Sequence, residues 1–206
     1  MSTLLHLDSS PLPTSVTREL GQEFEKTWKA AHPDGSVIYR DLASAPLKPV
    51  DAGWIYAVYT PPEARTPEQA GALTLSDELL AELEQADEYV FGVAMHNFSI
   101  PSVFKLWIDQ ISRVGRTFTY SSEGAKGLLT GKKLTILIAT GGKYEPGTPF
   151  GAFNFVEPYL RAVFGFIGIT DITVVTAGGT SVLMSPATDR QAFLAPTLET
   201  VRTVAA

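Results

Sequence analysis

An open α/β sheet of five parallel strands, doubly wound with helices on both faces, is the fold this sequence predicts. Three observations carry the prediction. Apolar runs alternate with stretches of helical periodicity along the whole chain. The run Glu88 to Ala94 is apolar almost throughout, as befits a parallel strand covered on both faces. Three runs end in polar turns, at Asp8-Ser9-Ser10, Met95-His96-Asn97-Phe98 and Thr140-Gly141-Gly142. In open α/β sheets the ends of the strands are where ligands bind, so these turns predict one site assembled from separated loops.

Taken in order, Thr3 to Leu7 reads as the first strand. Val16, Leu20, Phe24, Trp28 and Ala31 then recur at helical spacing, and His32-Pro33-Asp34-Gly35 stops the helix. Ser36 to Arg40 is the second strand. The Pro-rich stretch from Leu42 to Thr66, carrying Trp54, Tyr56 and Tyr59, is expected to be a long functional loop. Thr66-Pro67 opens a helix that runs to about Gln85, followed by the third strand, 88 to 94. After Pro101 a helix places Val103, Phe104, Trp107, Ile108, Ile111 and Val114 on one face. Lys105, Asp109 and Arg113 fall on the other at i, i+4 spacing, as a solvated ladder. Thr117 to Tyr120 and Gly124 to Gly131 form a hairpin-like excursion. Lys133 to Thr140 is a central strand, Phe153 to Phe166 a helix, Ile172 to Ala177 the fifth strand, and Ala187 to Val204 the last helix.

A chain of 206 residues with 45% hydrophobic content suits a single domain, 1–206, without linker or repeat. A net charge of -6 argues against nucleic acid and anionic membrane as partners, since no basic stripe is available to neutralise phosphates. No cysteine is present, which removes thiolate catalysis, disulfides and cysteine metal sites and fits a reducing compartment. The N-terminal residues lack a basic region and a long apolar stretch, and no apolar run approaches the roughly 18 residues of a membrane span, so a cytoplasmic protein is expected.

The turns define the chemistry. Ser9, Ser10, Ser15 and Thr17 collect hydroxyls at the first strand-to-helix junction, where free N–H groups and the helix dipole attract phosphate; an ordinary N-cap at Ser15 is the bland alternative. Gly141-Gly142 allows backbone N–H groups to approach a flat heterocycle. Asn97 either satisfies its own turn or hydrogen-bonds a ring edge. His96 has no carboxylate partner in sequence and is positional; His6 reads as a satisfied core residue and His32 as a surface turn residue. The stretch Gly127-Leu128-Leu129-Thr130-Gly131-Lys132 is one residue short of a phosphate-binding Walker spacing and lacks the following Ser or Thr. No dinucleotide G-x-G-x-x-G, zinc-protease H-E-x-x-H or nucleophile-elbow G-x-S-x-G occurs, so an enzyme of this sequence would rely on a bound cofactor.

These residues resemble a known family. Asp8-Ser9-Ser10 with Ser15-Val16-Thr17-Arg18, Met95-His96-Asn97-Phe98, Thr117-Phe118-Thr119-Tyr120, Gly127 to Lys133, Gly141-Gly142, and Tyr159-Leu160 leading to Phe164 through Asp171 match the FMN-dependent NADH:azoreductases. That family is a branch of the flavodoxin-like NAD(P)H:quinone oxidoreductases, and the match runs nearly end to end. Two departures, His96 where Tyr is frequent and Thr140 where Arg is frequent, bear on substrate and nicotinamide preference and not on the FMN site.

The resemblance implies a flavodoxin-like fold and an FMN-dependent oxidoreductase with NADH or NADPH as electron donor. Ser9, Ser10, Ser15, Val16 and Thr17 would surround the FMN phosphate. Met95, His96, Asn97 and Phe98 would line one side of the flavin ring, and Thr140, Gly141 and Gly142 would donate N–H groups to the side where reduction places negative charge. It further implies a homodimer that reduces quinones and azo compounds by two-electron ping-pong hydride transfer. Tyr120 and Phe164 would be aromatic walls for substrate, with the 42–66 segment and Tyr59 as a cover from the partner subunit. Arg18 and Lys143 are either contacts for NADPH or solvated surface charges. The rival readings are a one-electron flavodoxin-type carrier and a cofactor-free scaffold that kept the fold.

Overall fold

In a computed structural model, which describes residues 2–45 and 47–206, apolar runs and polar breaks resolve into seven strands and six α-helices. Strands are β1 (Thr3–Asp8), β2 (Ser36–Asp41), β3 (Glu88–Ala94), β4 (Phe118–Ser121), β5 (Gly124–Gly127), β6 (Lys133–Ala139) and β7 (Asp171–Ala177). Helices are α1 (Val16–Ala31), α2 (Ala52–Tyr59), α3 (Pro67–Gln85), α4 (Ser102–Ile111), α5 (Val156–Phe166) and α6 (Arg190–Ala205). Five strands form one parallel sheet in the order β2-β1-β3-β6-β7, while β4 and β5 pair as a separate antiparallel hairpin. Among the described residues no helix is long and apolar enough to cross a membrane.

Alternation along the strands builds two cores from one sheet. In β1, Leu5 and Leu7 join α3, α4 and α5 on one face, while Leu4 faces α1 and α6 on the other. The pattern repeats in β3, where Phe91 enters the first core and Val90 the second. Because both faces of the central strands β3 and β6 are covered, these two carry no polar stripe and read as apolar runs, whereas the edge strand β7 alternates buried and exposed residues. The chain leaves β1 for β2 on one side and later returns to β3 on the other. This reversal opens a crevice at the ends of β1 and β3.

Local chemistry sets the helix ends. Thr66 and Gln69 form a reciprocal capping box at α3, with Gln69 N–H donating to Thr66 Oγ1 at 3.3 Å and Thr66 N–H donating to Gln69 Oε1 at 3.0 Å. The long functional loop expected over 42–66 is not a loop throughout: Asp51 accepts from Trp54 N–H at 2.8 Å and starts α2, followed by a short 3₁₀ turn at Pro62–Ala64. Only Trp54 and Ala57 of α2 are buried, so it carries no continuous apolar stripe for periodicity to reveal.

Two charged or polar residues depart from expectation. Lys105 and Asp109 do form the i, i+4 pair at 2.5 Å, but Arg113 lies beyond the end of α4 and is buried, bound to Ser76 and Asp77. His6 is buried as expected, yet only Nδ1 is partnered, 2.9 Å from Glu25, and Nε2 has no hydrogen-bond partner among the described residues.

Candidate functional site

The first wall of the crevice is the segment from Ser9 to Thr17. Ser9 Oγ donates to the Gly92 carbonyl at 2.6 Å and ties this segment to β3. Ser10 Oγ accepts from Leu12 N–H at 3.3 Å. Ser15 occupies the N-cap position of α1 in an extended conformation, but its side chain makes no capping bond. Its Oγ instead lies 2.9 Å from Thr17 Oγ1. The leading N–H groups of α1, on Val16, Thr17 and Arg18, therefore have no acceptor among the described residues. A helix start left open in this way, with a hydroxyl beside it, is suited to a phosphate.

A polar cluster around the buried Asp8 fixes that segment from below. Arg18 donates to the Ser10 carbonyl through Nε at 3.2 Å and Nη2 at 2.7 Å. The same guanidinium reaches Asp8 at 3.3 Å and Asp41 at 2.7 Å, and Tyr39 OH donates to Asp8 at 2.8 Å. Burial and the bond to Asp8 push the Tyr39 phenol up to about 12, so it remains a donor at neutral pH. Arg18 is thus neither a solvated charge nor free for a nicotinamide ribose phosphate; it is a clamp on the backbone of the site. Gly92 permits the close packing, because a Cβ there would come 2.9 Å from Asp8 Oδ1 and 3.3 Å from Thr17 Cβ.

The second wall follows β3. Met95 N–H extends the ladder to the Ala139 carbonyl at 2.8 Å, and then His96 and Ser99 exchange backbone bonds of 2.8 and 3.0 Å. Between them Asn97 (φ 48°) and Phe98 (φ 70°) both lie in the left-handed region, the signature of a type I′ turn. Phenylalanine rarely adopts that conformation, and backbone strain of this kind collects at functional sites. The Asn97 side chain makes no hydrogen bond among the described residues and lines an open cavity, which leaves its amide available to a ligand.

The third wall is Thr140-Gly141-Gly142, and here the chain uses up its acceptors. The Thr140 carbonyl accepts from Thr180 N–H at 2.9 Å, Gly141 from Ser181 N–H at 3.1 Å, and Gly142 from Gly179 N–H at 2.9 Å. Thr140 Oγ1 also donates to the Gly142 carbonyl at 2.8 Å. The N–H groups of Gly141 and Gly142 have no acceptor among the described residues. Donors without acceptors thus line two sides of one crevice.

The crevice has a volume of about 300 Å³ and is lined by Ser10, Ser15, Val16, Met95, His96 and Gly141, all expected from the sequence. Ser9, Thr17 and Thr140 sit just behind this surface, at 0%, 0% and 2% exposure, and brace it. Asn97 faces an adjoining cavity of about 460 Å³ on the far side of His96, together with Ser99, Lys105 and Tyr159. Sequence reading missed Leu12, Thr180, Leu183, Met184 and Arg190, which complete the crevice rim. Arg190 pins the first wall, donating to Glu19 at 2.8 Å and to the Thr14 carbonyl at 3.1 Å. The Gly178-Gly179 pair after β7 was the available signal for the rim segment.

The expected aromatic walls are rearranged. Phe164 is fully buried and packs on Phe91 at a centroid distance of 5.4 Å, so it is core and presents no face to a substrate in this chain. The exposed aromatics at this end are others: Phe98 lies 5.4 Å from Phe153 and 6.1 Å from Tyr144, beside the exposed Phe150 and Phe155. Tyr120 and Tyr59 are exposed, but neither lines the crevice of its own chain. Lys143 stays exposed on the surface.

A parallel doubly wound sheet with a donor-lined crevice at its switch point defines a mononucleotide-binding α/β protein. The chain belongs to the family with the flavodoxin-like fold, whose model matches residues 2–201, and within it to the FMN-dependent NADH:quinone oxidoreductases and azoreductases. It is 64% identical over 206 residues to the FMN-dependent NADH:quinone oxidoreductase of Acidobacterium capsulatum, with 100% of each chain covered. The corresponding protein of Nostoc punctiforme is 51% identical over 86% of this chain and 87% of its own. Among solved structures, an azoreductase from Bacillus anthracis superposes with a TM-score of 0.89 at 30% identity, covering 100% of this chain and 99% of that one. An FMN-dependent NADH-azoreductase from the same species, in complex with FMN, gives 0.87 at 26% identity, covering 100% and 98%.

Proposed function

We propose that this chain is an FMN-dependent oxidoreductase that takes electrons from NADH and reduces quinones and azo compounds in a ping-pong cycle. The observation that carries the reading is the pair of acceptor-free amide sets, at the start of α1 and at Gly141-Gly142, whose members Val16 and Gly141 line opposite parts of one crevice. They fit an FMN, which has a phosphate at one end and a polar ring edge at the other. Bound FMN supplies hydride acceptance and release, chemistry that no side chain of this protein provides.

The residues divide the work. The amides at the start of α1, with Ser15 Oγ and Ser10, hold the phosphate, while Ser9, Thr17 and Arg18 keep those groups in place. Met95 and His96 flank the ring, Asn97 and Phe98 shape its open side, and Gly141 and Gly142 donate to the edge where reduction places charge. Because those donors are fixed by the 179–181 backbone, they need no reorganisation as charge develops. Flat oxidants find aromatic surface at Phe98, Phe153 and Tyr144.

The chain acts as a homodimer in the cytoplasm on this reading. Tyr59 and Tyr120, exposed at 73% and 67%, are the surfaces a second copy would bring over the crevice. The test is anaerobic mixing of FMN-loaded protein with NADH while flavin absorbance is followed, then addition of a quinone. Bleaching by NADH and full recovery with one equivalent of quinone is expected. Flavin that stays oxidised in NADH would remove the enzyme reading in favour of a one-electron carrier.

A further inference from the structure

Beneath the Ser9 to Thr17 wall, β1 turns two polar side chains towards α1. Leu4, His6 and Asp8 share one face of the strand by alternation, and His6 and Asp8 are each only 1% exposed. Helix α1 makes room for the imidazole with a glycine, since a Cβ on Gly21 would come 2.4 Å from His6 Nε2. Glycine is unfavourable in the middle of a helix, so the space is kept for the ring. All of this is complete within one chain.

The imidazole sits between two carboxylates. His6 Nδ1 lies 2.9 Å from Glu25 Oε2, and an ionised carboxylate can only accept, so Nδ1 carries a hydrogen. Nε2 has no partner among the described residues and faces Asp8 Oδ2 at 3.9 Å. A bare Nε2 would set lone pair against lone pair across that gap, whereas a protonated one aims a donor at the carboxylate. The balance of charge points the same way. Asp8, Glu25 and Asp41 are met by Arg18 and Lys29, three carboxylates against two cations, and a proton on His6 closes the difference. From β2 the ring meets Tyr39 edge-on at 5.1 Å, a neutral phenol that donates to Asp8, and its neighbour on β3 is the apolar Val90.

Asp8 carries this charge to the crevice. A Cβ on Gly92 would meet both Asp8 Oδ1, at 2.9 Å, and Thr17 Cβ, at 3.3 Å, which puts the carboxylate beside the first turn of α1. Asp8 Oδ1 has no hydrogen-bond partner among the described residues, so its charge is not spent there. A bare carboxylate under a helix start repels the anion that the helix start attracts. We propose that His6 is a positioning residue for the flavin phosphate: as imidazolium it neutralises Asp8 beneath the start of α1, so that FMN binding takes up a proton. This role rests on the flavin reading of the crevice. Linkage sets its sign, because a ligand that prefers the protonated form binds more tightly as pH falls and raises the protonated fraction when it binds.

Nitrogen-15 NMR of the full-length protein reads the proton directly, since the chain has only 3 histidines. Signals lost in His32→Gln and in His96→Gln assign the remaining set to His6 without touching the buried site. At about pH 7.5 the phosphate of FMN is already mostly dianionic, so proton uptake there belongs to the protein. Adding FMN at that pH should raise the imidazolium fraction of His6. Flavin fluorescence titration should show FMN affinity rising by roughly fivefold or more between about pH 8 and about pH 6.5, the lower end of coupling between two sites. Riboflavin, which lacks the phosphate, should show no such rise. His6→Gln keeps a donor but cannot take up the proton, and its FMN affinity should stay flat over the same range. A His6 signal unmoved by FMN, an equal rise for riboflavin, or an unchanged pH profile in His6→Gln would each overturn the role of His6 alone. A protein that binds no FMN at any pH would remove the flavin reading with it.

Discussion

Ser15→Ala separates the two roles available to that residue. An N-cap serine that bonds its own helix contributes about 1 kcal/mol to stability. Ser15 makes no such bond; its Oγ pairs with Thr17 Oγ1 at 2.9 Å and sits on the crevice wall. The expected loss of folding stability is therefore well below about 1 kcal/mol. A hydrogen bond to a charged phosphate contributes about 1.5–3 kcal/mol, so the variant should bind FMN about 10- to 150-fold more weakly. Thr17→Ala should act through the same hydroxyl pair, because Thr17 itself is 0% exposed. The double variant should then lose less affinity than the sum of the single losses. Flavin fluorescence titration of each apo variant gives the affinities, and urea unfolding of the apo forms gives the stabilities. Wild-type FMN affinity in Ser15→Ala would refute the placement of the phosphate at the start of α1. A stability loss of about 1 kcal/mol with intact affinity would restore the cap reading.

Phe164→Ala should destabilise the protein by about 3–5 kcal/mol, as for other buried aromatic truncations, while leaving the KM for quinone unchanged in the fraction that folds; a selective rise in KM would put Phe164 back among the substrate contacts. Glu25 is held down to about 2, chiefly by its hydrogen bond from His6. A depressed carboxyl contributes stability above its unfolded value near 4.5, and that contribution fades as pH falls from about 4.5 towards 2. Glu25→Gln should accordingly flatten the acid limb of thermal stability over that window, and an unaltered limb would show that the pair contributes nothing.

Strands and strand ends were legible because their signals are local. Two-sided burial makes β3 and β6 apolar over most of their length, and the polarity changes where each strand emerges at the crevice. Thr66-Pro67 announced α3 because capping chemistry is written in adjacent residues. Helix α2 left no such trace: Trp54 and Ala57 are three residues apart, and Ile55, Tyr56 and Tyr59 remain outside. Arg113 was misassigned because the i, i+4 pattern continues one step past the point where α4 ends at Ile111. For Phe164 the sequence did hold the answer. Val156, Leu160 and Phe164 are spaced at i, i+4, i+8 and are the buried residues of α5. The rim at Thr180–Met184 is a 3₁₀ turn whose place beside Gly141 depends on β6–β7 pairing, a long-range fact that no window of residues contains.

The crevice offers donors without offering free charge: its amides are dipoles, and Arg190 is already spent on Glu19 and Thr14. Dipoles act at contact range, well inside the screening length of about 8 Å at physiological ionic strength. Added salt will therefore barely alter the rate at which a dianionic cofactor leaves. It will raise the rate at which one arrives, because a chain of net charge -6 repels that ligand until the repulsion is screened. The apoprotein should thus reload with flavin faster in brine than in dilute buffer, the reverse of a site built from lysines.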